Sequence, residues 1–524
     1  MSIVALGLRF TCFIVLGALA PAATAASANG DYLITDFGAK ADDQTLNTAS
    51  IQACIDACAK TGGRVIVPPG AYRTGTLYLK SNVELHLARN STLSGSTQLS
   101  DYPENRVDLR SYSDRYVDRA LIWAYDQNNV AITGAGTIQG NGEKRFFPED
   151  PADPYRTYPT RPYLIRFVRC RQVQIEGVNL IGAAMWMQQY LGCTDLRITG
   201  ISSYNHVNRN NDGLDIDGCR RVVVSDCLID SSDDGICLKS TGLDPCEDVA
   251  ISNCIVSSNC NAIKLGTEST GGFRDITVSN CVVKPSACET VLAGTRRGLS
   301  AIALMIVDGG VMEHILFDNI SVQDVDTPIF IRLGNRANKF TETAKSPGVG
   351  TVRDIVISNV IAHGSSRICS SITGIPGHPV EHVLLSNITI VSAGGGVAGD
   401  FKQVLPENEA KYPAASTLGS ELPAYGIFVR HARDVSLCNI TLRHETRDER
   451  PGVCLEDVQK ADLSRVDLMA PTGGGPMIYL DQVVGADIAG SLPGYATDAL
   501  LRIAGGSSRI FRDGRLVSAS GAGN

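Results

Sequence analysis

Asn211-Asp212-Gly213-Leu214-Asp215-Ile216-Asp217 and, 22 residues later, Asp233-Asp234-Gly235-Ile236-Cys237-Leu238-Lys239 are two copies of one pattern. A third copy, Cys260-Asn261-Ala262-Ile263-Lys264-Leu265-Gly266, follows after a further 27 residues. Apolar residues occupy every second position in each copy, as Leu214/Ile216, Ile236/Leu238 and Ile263/Leu265. That is the period of a strand with one buried face. A strand returning every 22 to 27 residues predicts the coils of a solenoid. Alignment of the coils puts Asp212, Asp234 and Asn261 in one column and Asn211, Asp233 and Cys260 in the next.

The rhythm extends in both directions. Val130 to Gly134, Val173 to Gly177 and Leu196 to Gly200 are strands ending on glycine. Further on, Asp226, Asn253, Asn280, Asn319, Asn359, Asn387 and Asn439 take the glycine's place. Gly and Asn both tolerate the left-handed backbone of a sharp corner, and stacked Asn side chains can bond along the axis. Asn90, Asn319, Asn387 and Asn439 also match glycosylation sequons, but three of them recur at this corner, which favours the structural reading. The fold class that fits is all-β, a right-handed parallel β-helix, with the hand taken from the general crossover rule. A leucine-rich repeat lacks support because no Leu/Asn consensus with helical convex segments is present, and a propeller needs longer blades.

Before the coils, Thr45-Leu46-Asn47-Thr48 can cap a helix carrying Ile51, Cys54, Ile55 and Cys58 on one face. This helix is expected to cover the open end of the core. One β-helix domain is expected over residues 31–515, with long loops at 101–162 and 392–423. Residues 1–26 read as a signal peptide: Arg9, an apolar stretch from Phe10 to Ala20, then small residues to Ala26. The apolar stretch is shorter than a span of about 20 residues. The expected location is therefore secreted or periplasmic, with no membrane partner. A net charge of -8 opposes general nucleic-acid binding. Export permits disulfides, yet Cys227, Cys254 and Cys281 recur at intervals of 27, as a stacked column of small buried residues would. No CxxC or Cys/His zinc spacing is present, so neither a metal nor another cofactor is expected.

Asp212, Asp233 and Asp234 fall at the N-terminal mouth of neighbouring strands, which lie about 4.8 Å apart. Carboxylates this close cannot all ionise freely, so at least one is expected to keep its proton above the usual range. A proton donor beside proton acceptors is the division that glycoside hydrolysis requires. Asp215, Cys237 and Lys264 form a second, outward-facing column. Ile331-Arg332-Leu333-Gly334 copies Ile263-Lys264-Leu265-Gly266, which predicts that Arg332 shares the face of Lys264. Arg297, with Arg296, Arg336 and Lys339, lies in neighbouring loops. Cations beside an acidic centre suit an anionic sugar. Asn210, Asn261 and His206 join Lys264, Arg332 and Arg297 as candidate substrate-binding residues. His206 also fits an ordinary loop role, Trp186 fits either sugar stacking or a core position, and Asp217 with Lys239 fits a surface ion pair.

Asn210-Asn211-Asp212-Gly213, then Asp233-Asp234-Gly235, with the Phe37-Gly38-Ala39 start, resembles the family 28 glycoside hydrolases, the polygalacturonase-like enzymes. The resemblance covers most of residues 33–460. It implies inverting hydrolysis of pectic α-glycosides, with Asp233 as general acid and Asp212 and Asp234 activating water. Two positions depart from the family pattern. The family's Gly-His-Gly turn is Cys260-Asn261-Ala262 here, and its Arg-Ile-Lys clamp falls near Ser300-Ala301-Ile302. These departures are compatible with an exo-acting galacturonidase, a rhamnogalacturonan-type hydrolase or a different sugar. The expected partner is an anionic polysaccharide or oligosaccharide, with the protein a monomer. The competing functions are a Ca²⁺-dependent polysaccharide lyase on the same fold and a non-catalytic glycan-binding adhesin.

Overall fold

The computed structural model describes residues 30–109, 119–149, 159–492 and 495–517. The expected signal peptide, residues 1–26, lies outside the described residues. From Asp31 onward the chain winds as a right-handed parallel β-helix, three strands to a coil, with strands paired in parallel to their counterparts one coil away; the last described strand, Arg515–Val517, instead pairs antiparallel with Ser508–Arg512. One complete turn shows the pattern: Leu214–Asp217, Arg220–Ser225 and Leu228–Ser231 pair with Ile236–Ser240, Cys246–Ser252 and Ile255–Ser258.

Alternation drives the coil. Leu214, Ile236, Ile263, Ile302 and Ile329 lie in register and point inward as one buried row. Each such side chain contributes about 1.5–3 kcal/mol by leaving water. At the corners, Asp226, Asn253, Asn280, Asn319, Asn359, Asn387 and Asn439 all adopt positive φ. Asn319 Nδ2 donates to Asn280 Oδ1 at 2.8 Å, Asn387 to Asn359 at 3.0 Å and Asn439 to Asn387 at 2.8 Å. The sequon asparagines 319, 387 and 439 are thus rungs of a ladder. Cys227, Cys254 and Cys281 form the expected buried column of free thiols, which Ile320, Val360 and Ile388 continue.

The helix Thr48–Cys58 buries Ile51, Cys54, Ile55 and Cys58. Asn47 precedes it, but its side chain bonds Lys40 instead of capping the helix. The stretch 101–162 differs from a single loop. It contains a whole coil, Ala120–Tyr125, Asn128–Gly134 and Thr137–Gln139, whose strands pair on both sides. Its strand at 130–134 is legible in the alternation of Val130 with Ile132, but Ala120–Tyr125 is apolar at nearly every position and shows no alternation to read. The second long loop connects the strands Val380–Ser392 and Ile427–His444.

Candidate active site

Register brings the carboxylates together. Leu214 faces Ile236 and Ile236 faces Ile263, so Asp212, Asp234 and Asn261 stack as the pattern predicted. Gly213 donates to the Asp234 carbonyl at 2.9 Å and Gly235 to the Asn261 carbonyl at 2.8 Å. A Cβ on Gly235 would meet the Ala262 carbonyl oxygen at 2.5 Å, so the coils approach this closely only through glycine. Around the mouth the backbone is pinned. Asn211 accepts from the amides of Val207 and Asn208 and donates to the carbonyls of Ala183 and Met185. Ser231 and Ser258 hydroxyls donate to the Asp233 carbonyl.

A cleft of about 340 Å³ opens here, lined by Asp212, Asp233, Asp234, Asn210, Asn261 and Lys264, with Lys239, Glu268, Trp186, Cys260 and Tyr412 completing its walls. A larger depression of about 450 Å³ lies on the second sheet around Arg197 and Val223. Of its three acids, Asp195, Asp248 and Asp275, the first is paired with Arg221 and the last lies 3.0 Å from His314.

The three aspartates differ in surroundings. Asp234 Oδ2 accepts from Lys264 Nζ at 2.5 Å, and Oδ1 accepts from Asn261 Nδ2 at 2.8 Å. Burial alone would raise its pKa, but Lys264, Lys239 and these hydrogen bonds outweigh burial and hold it below the usual range. Asp233 accepts from the Asp234 amide at 3.0 Å. Burial and the adjacent Asp234 charge push its pKa up. Asp212 is raised well above the usual range by burial and by Asp215 and Asp233, against the pull of Lys239. One carboxylate is therefore a stable anion and two retain protons readily, which suits acid/base work.

Lys264 also donates to the Tyr412 hydroxyl at 3.0 Å. Lys239 is buried, not on the surface. Its Nζ lies 3.2 Å from Asp215, 3.6 Å from Asp212 and 3.8 Å from Glu268, and 4.5 Å from the Trp186 ring centre. Asp217 is buried too and accepts from the Thr241 amide and hydroxyl, so Asp217 and Lys239 are not a surface pair. Trp186 is buried against Tyr163, the expected core position, and its ring also lines the cleft. Asn210 accepts from Arg161 at 3.1 Å.

Three expected binding residues stand elsewhere. Leu265 faces Leu304 and Leu304 faces Ile331, so Lys264's column continues through Ala303 and Phe330 and not through Arg332. Arg332 lies two positions further along its strand and donates to the carbonyls of Gly374 and Glu407. Burial lowers its pKa to about 10. The two Ile-x-Leu-Gly stretches are alike in letters but out of register. Arg297 binds Asp326 at 3.0 Å and the Gly364 carbonyl. His206 is buried, with Nε2 2.8 Å from Asp230 Oδ1 and 3.2 Å from Ser286 Oγ. Arg332 and Arg297 are engaged by scaffold groups, and His206 is engaged through Nε2 while its buried Nδ1 has no hydrogen-bond partner. Sequence reasoning missed Lys239 as a site residue, and it missed Glu268 and Tyr412. A register shift between Leu238/Leu265 and Ser240/Ser269 precludes finding Glu268 by counting in twos, and Tyr412 comes from a non-repeating loop.

Fold and site together define a right-handed parallel β-helix protein with an acidic cleft on one outer face. The family model described as Glycosyl hydrolases family 28 matches residues 58–406, and the chain belongs to that family. It is 44% identical over 120 residues to the exo-poly-alpha-D-galacturonosidase of Dickeya chrysanthemi, covering 21% of this chain and 20% of that protein. It is 32% identical over 242 residues to a probable polygalacturonase of Vitis vinifera, covering 43% of this chain and 47% of that protein. The chain thus spans a fifth and about half of the length of these curated relatives. Among solved structures, the family 28 exopolygalacturonase of Yersinia enterocolitica matches with a TM-score of 0.62 at 18% identity, covering 93% of this chain and 79% of that one. The exopolygalacturonase of Thermotoga maritima matches with a TM-score of 0.59 at 22% identity, covering 79% and 91%. At these identities the structural likeness speaks for the fold.

Proposed function

We propose that this protein is an exported, inverting glycoside hydrolase that removes residues from the ends of pectin-type, uronic-acid-containing chains. The observation that carries the reading is the cleft where Asp212 and Asp234 stack from adjacent coils beside Asp233, with their proton affinities pushed apart. In this mechanism Asp233 gives its proton to the glycosidic oxygen as the bond to the anomeric carbon breaks. The attacking water gives its one proton to Asp234, kept anionic by Lys264, or to Asp212 once Asp212 is itself ionised. The products are an alcohol and a sugar of inverted configuration, and one water is consumed.

Chain-end attack is supported by what covers the outer face on either side. Past Lys264 its column runs into Ala303 and Phe330, buried together with Ala415 of the second loop. On the other side Gln189 and Arg166 of the same column are buried, with Trp123 and Tyr163 close by. The names of the Dickeya, Yersinia and Thermotoga relatives agree with exo action. A galacturonidase and a rhamnogalacturonan-type hydrolase both fit. A Ca²⁺-dependent lyase fits less well, because Lys239 and Lys264 already bring two ammonium groups among the carboxylates that would hold the ion. Export is inferred from the apolar N-terminal stretch, Phe10 to Ala20.

The test is incubation with a panel of pectic oligosaccharides, read by product mass and by anomeric NMR at early times. Saturated end-residues released with inverted configuration are expected. Unsaturated, ultraviolet-absorbing products lost in chelator would replace this reading with the lyase.

A further inference from the structure

Lys239 is 3% exposed in its side chain and stands among three carboxylates. On its inner side is Asp215, wholly buried; towards the cleft is Asp212; on the next coil is Glu268. The Trp186 ring closes the fourth side. The charges continue outward. Arg336 lies 3.5 Å from Glu268 and also pairs with Asp308. Lys264, the other ammonium of the cleft, is taken by Asp234 and Tyr412. Lys239 therefore serves Asp212 as its ion-pair cation, and Asp215 and Glu268 compete for the same charge.

We propose that Lys239 is a positioning residue whose charge is divided among Asp212, Asp215 and Glu268, and that Glu268, restrained by Arg336, sets how much of it reaches Asp212. The pH at which Asp212 can accept a proton from water follows from that division. The inference rests on the assignment of Asp212 as a water-activating base. Asp212 is also faced by Asp233 and Asp234, which raise its proton affinity, and Lys239 is faced by the Cys237 thiol of its own strand. Glu268 is faced by Lys239, Arg336 and Lys264. None of these other groups changes in the substitutions that follow, so the signs are set by the mutated residue.

Glu268→Gln removes a competitor, so Lys239 turns more fully to Asp212. The acidic limb of the kcat/KM profile is expected to move to lower pH by about one unit. Arg336→Gln frees Glu268 to draw Lys239 away, and the limb is expected to move to higher pH. Lys239→Met moves it further in that direction, by about one to three units. A merely structural role would lower activity or stability without opposite shifts. The same order is expected in a carboxyl titration followed by ¹³C NMR on aspartate-labelled protein, which needs no substrate. Opposite shifts in Glu268→Gln and Arg336→Gln support the division of charge. Shifts of the same sign, or unmoved limbs and titrations, overturn it. If wild type turns over no pectic oligosaccharide, the hydrolase reading fails, and the carboxyl titration still decides this inference. Should Lys239→Met not fold, the other two variants carry the test.

Discussion

Asp233→Asn keeps the side chain's shape and its acceptor for the Asp234 amide but removes the proton it would donate. With the general acid gone, kcat is expected to fall at least about a hundredfold while the coil stays folded. Steady-state kinetics beside a thermal melt measures both, and unimpaired turnover would take Asp233 out of the acid role. The three aspartates were legible because the repeat itself carries them. An alignment of coils is an alignment in space, so Asp212 and Asp234 had to stack. Lys239 was in the same alignment but was read as a surface partner of Asp217. Its parity was right, since it faces outward from its strand. What sequence does not display is that this outward face is walled in by Trp186 and Glu268, which makes an outward residue a buried one. Arg332 failed for the opposite reason: the letters repeat but the register does not.

Among the elements, the second loop differs most from the periodic coils. It carries Tyr412 to the cleft and is fastened at Glu407. Arg332 donates to the Glu407 carbonyl, and Arg430 and His431 engage its carboxylate. Leu405, Leu418 and Leu422 pack it onto Phe428 and Cys454 of two adjacent coils. Arg332→Gln shortens the reach to two buried carbonyls, and a hydrogen bond to a charged group is worth about 1.5–3 kcal/mol. Local opening should then be about tenfold or more frequent. Limited proteolysis of the loop is expected to accelerate by that factor with little change in the melting temperature. An unaltered cleavage rate would show that the apolar cluster alone holds the loop. Composition located this loop because Gly, Ala, Glu and Pro interrupt the alternation. Its path and its one cleft residue were not legible, because a loop obeys its own packing and has no period. The same rule misled over 101–162: the strand at 130–134 was legible, but Leu121 and Trp123 make Ala120–Tyr125 apolar on both faces, and without alternation the rest of that coil reads as loop.

At the scale of the molecule, burying an acidic cluster ties stability to pH. Burial raises the Asp217 carboxyl to about 6 although the Thr241 amide and hydroxyl hold it back, and burial raises Asp215 to about 7 against the pull of Lys239. Both groups titrate near 3.9 in an unfolded chain. Between pH 4 and 7 these two carboxyls therefore bind more protons in the folded protein than in the unfolded one, and their contribution to stability falls as pH rises. For Asp217, wholly buried, the loss is on the order of 3 kcal/mol once pH exceeds its folded value. Glu268 acts in the other direction. Burial would raise it, but Lys239, Arg336 and Lys264 outweigh burial and lower it to about 2, so its contribution is present above about pH 4.5 and is lost as pH falls towards 2. The two trends cross, and the melting temperature is expected to peak near pH 4 to 5 and to decline towards pH 8. Asp217→Asn retains an acceptor for Thr241 and cannot ionise. Its stability relative to wild type is expected to improve steadily from pH 5 to pH 8, by up to about 3 kcal/mol. Calorimetry across that range at constant ionic strength measures the difference. A gap that stays constant with pH would mean that Asp217 titrates alike in the folded and unfolded chain, and that its burial among Thr241, Lys239 and Glu268 costs the ionised form nothing.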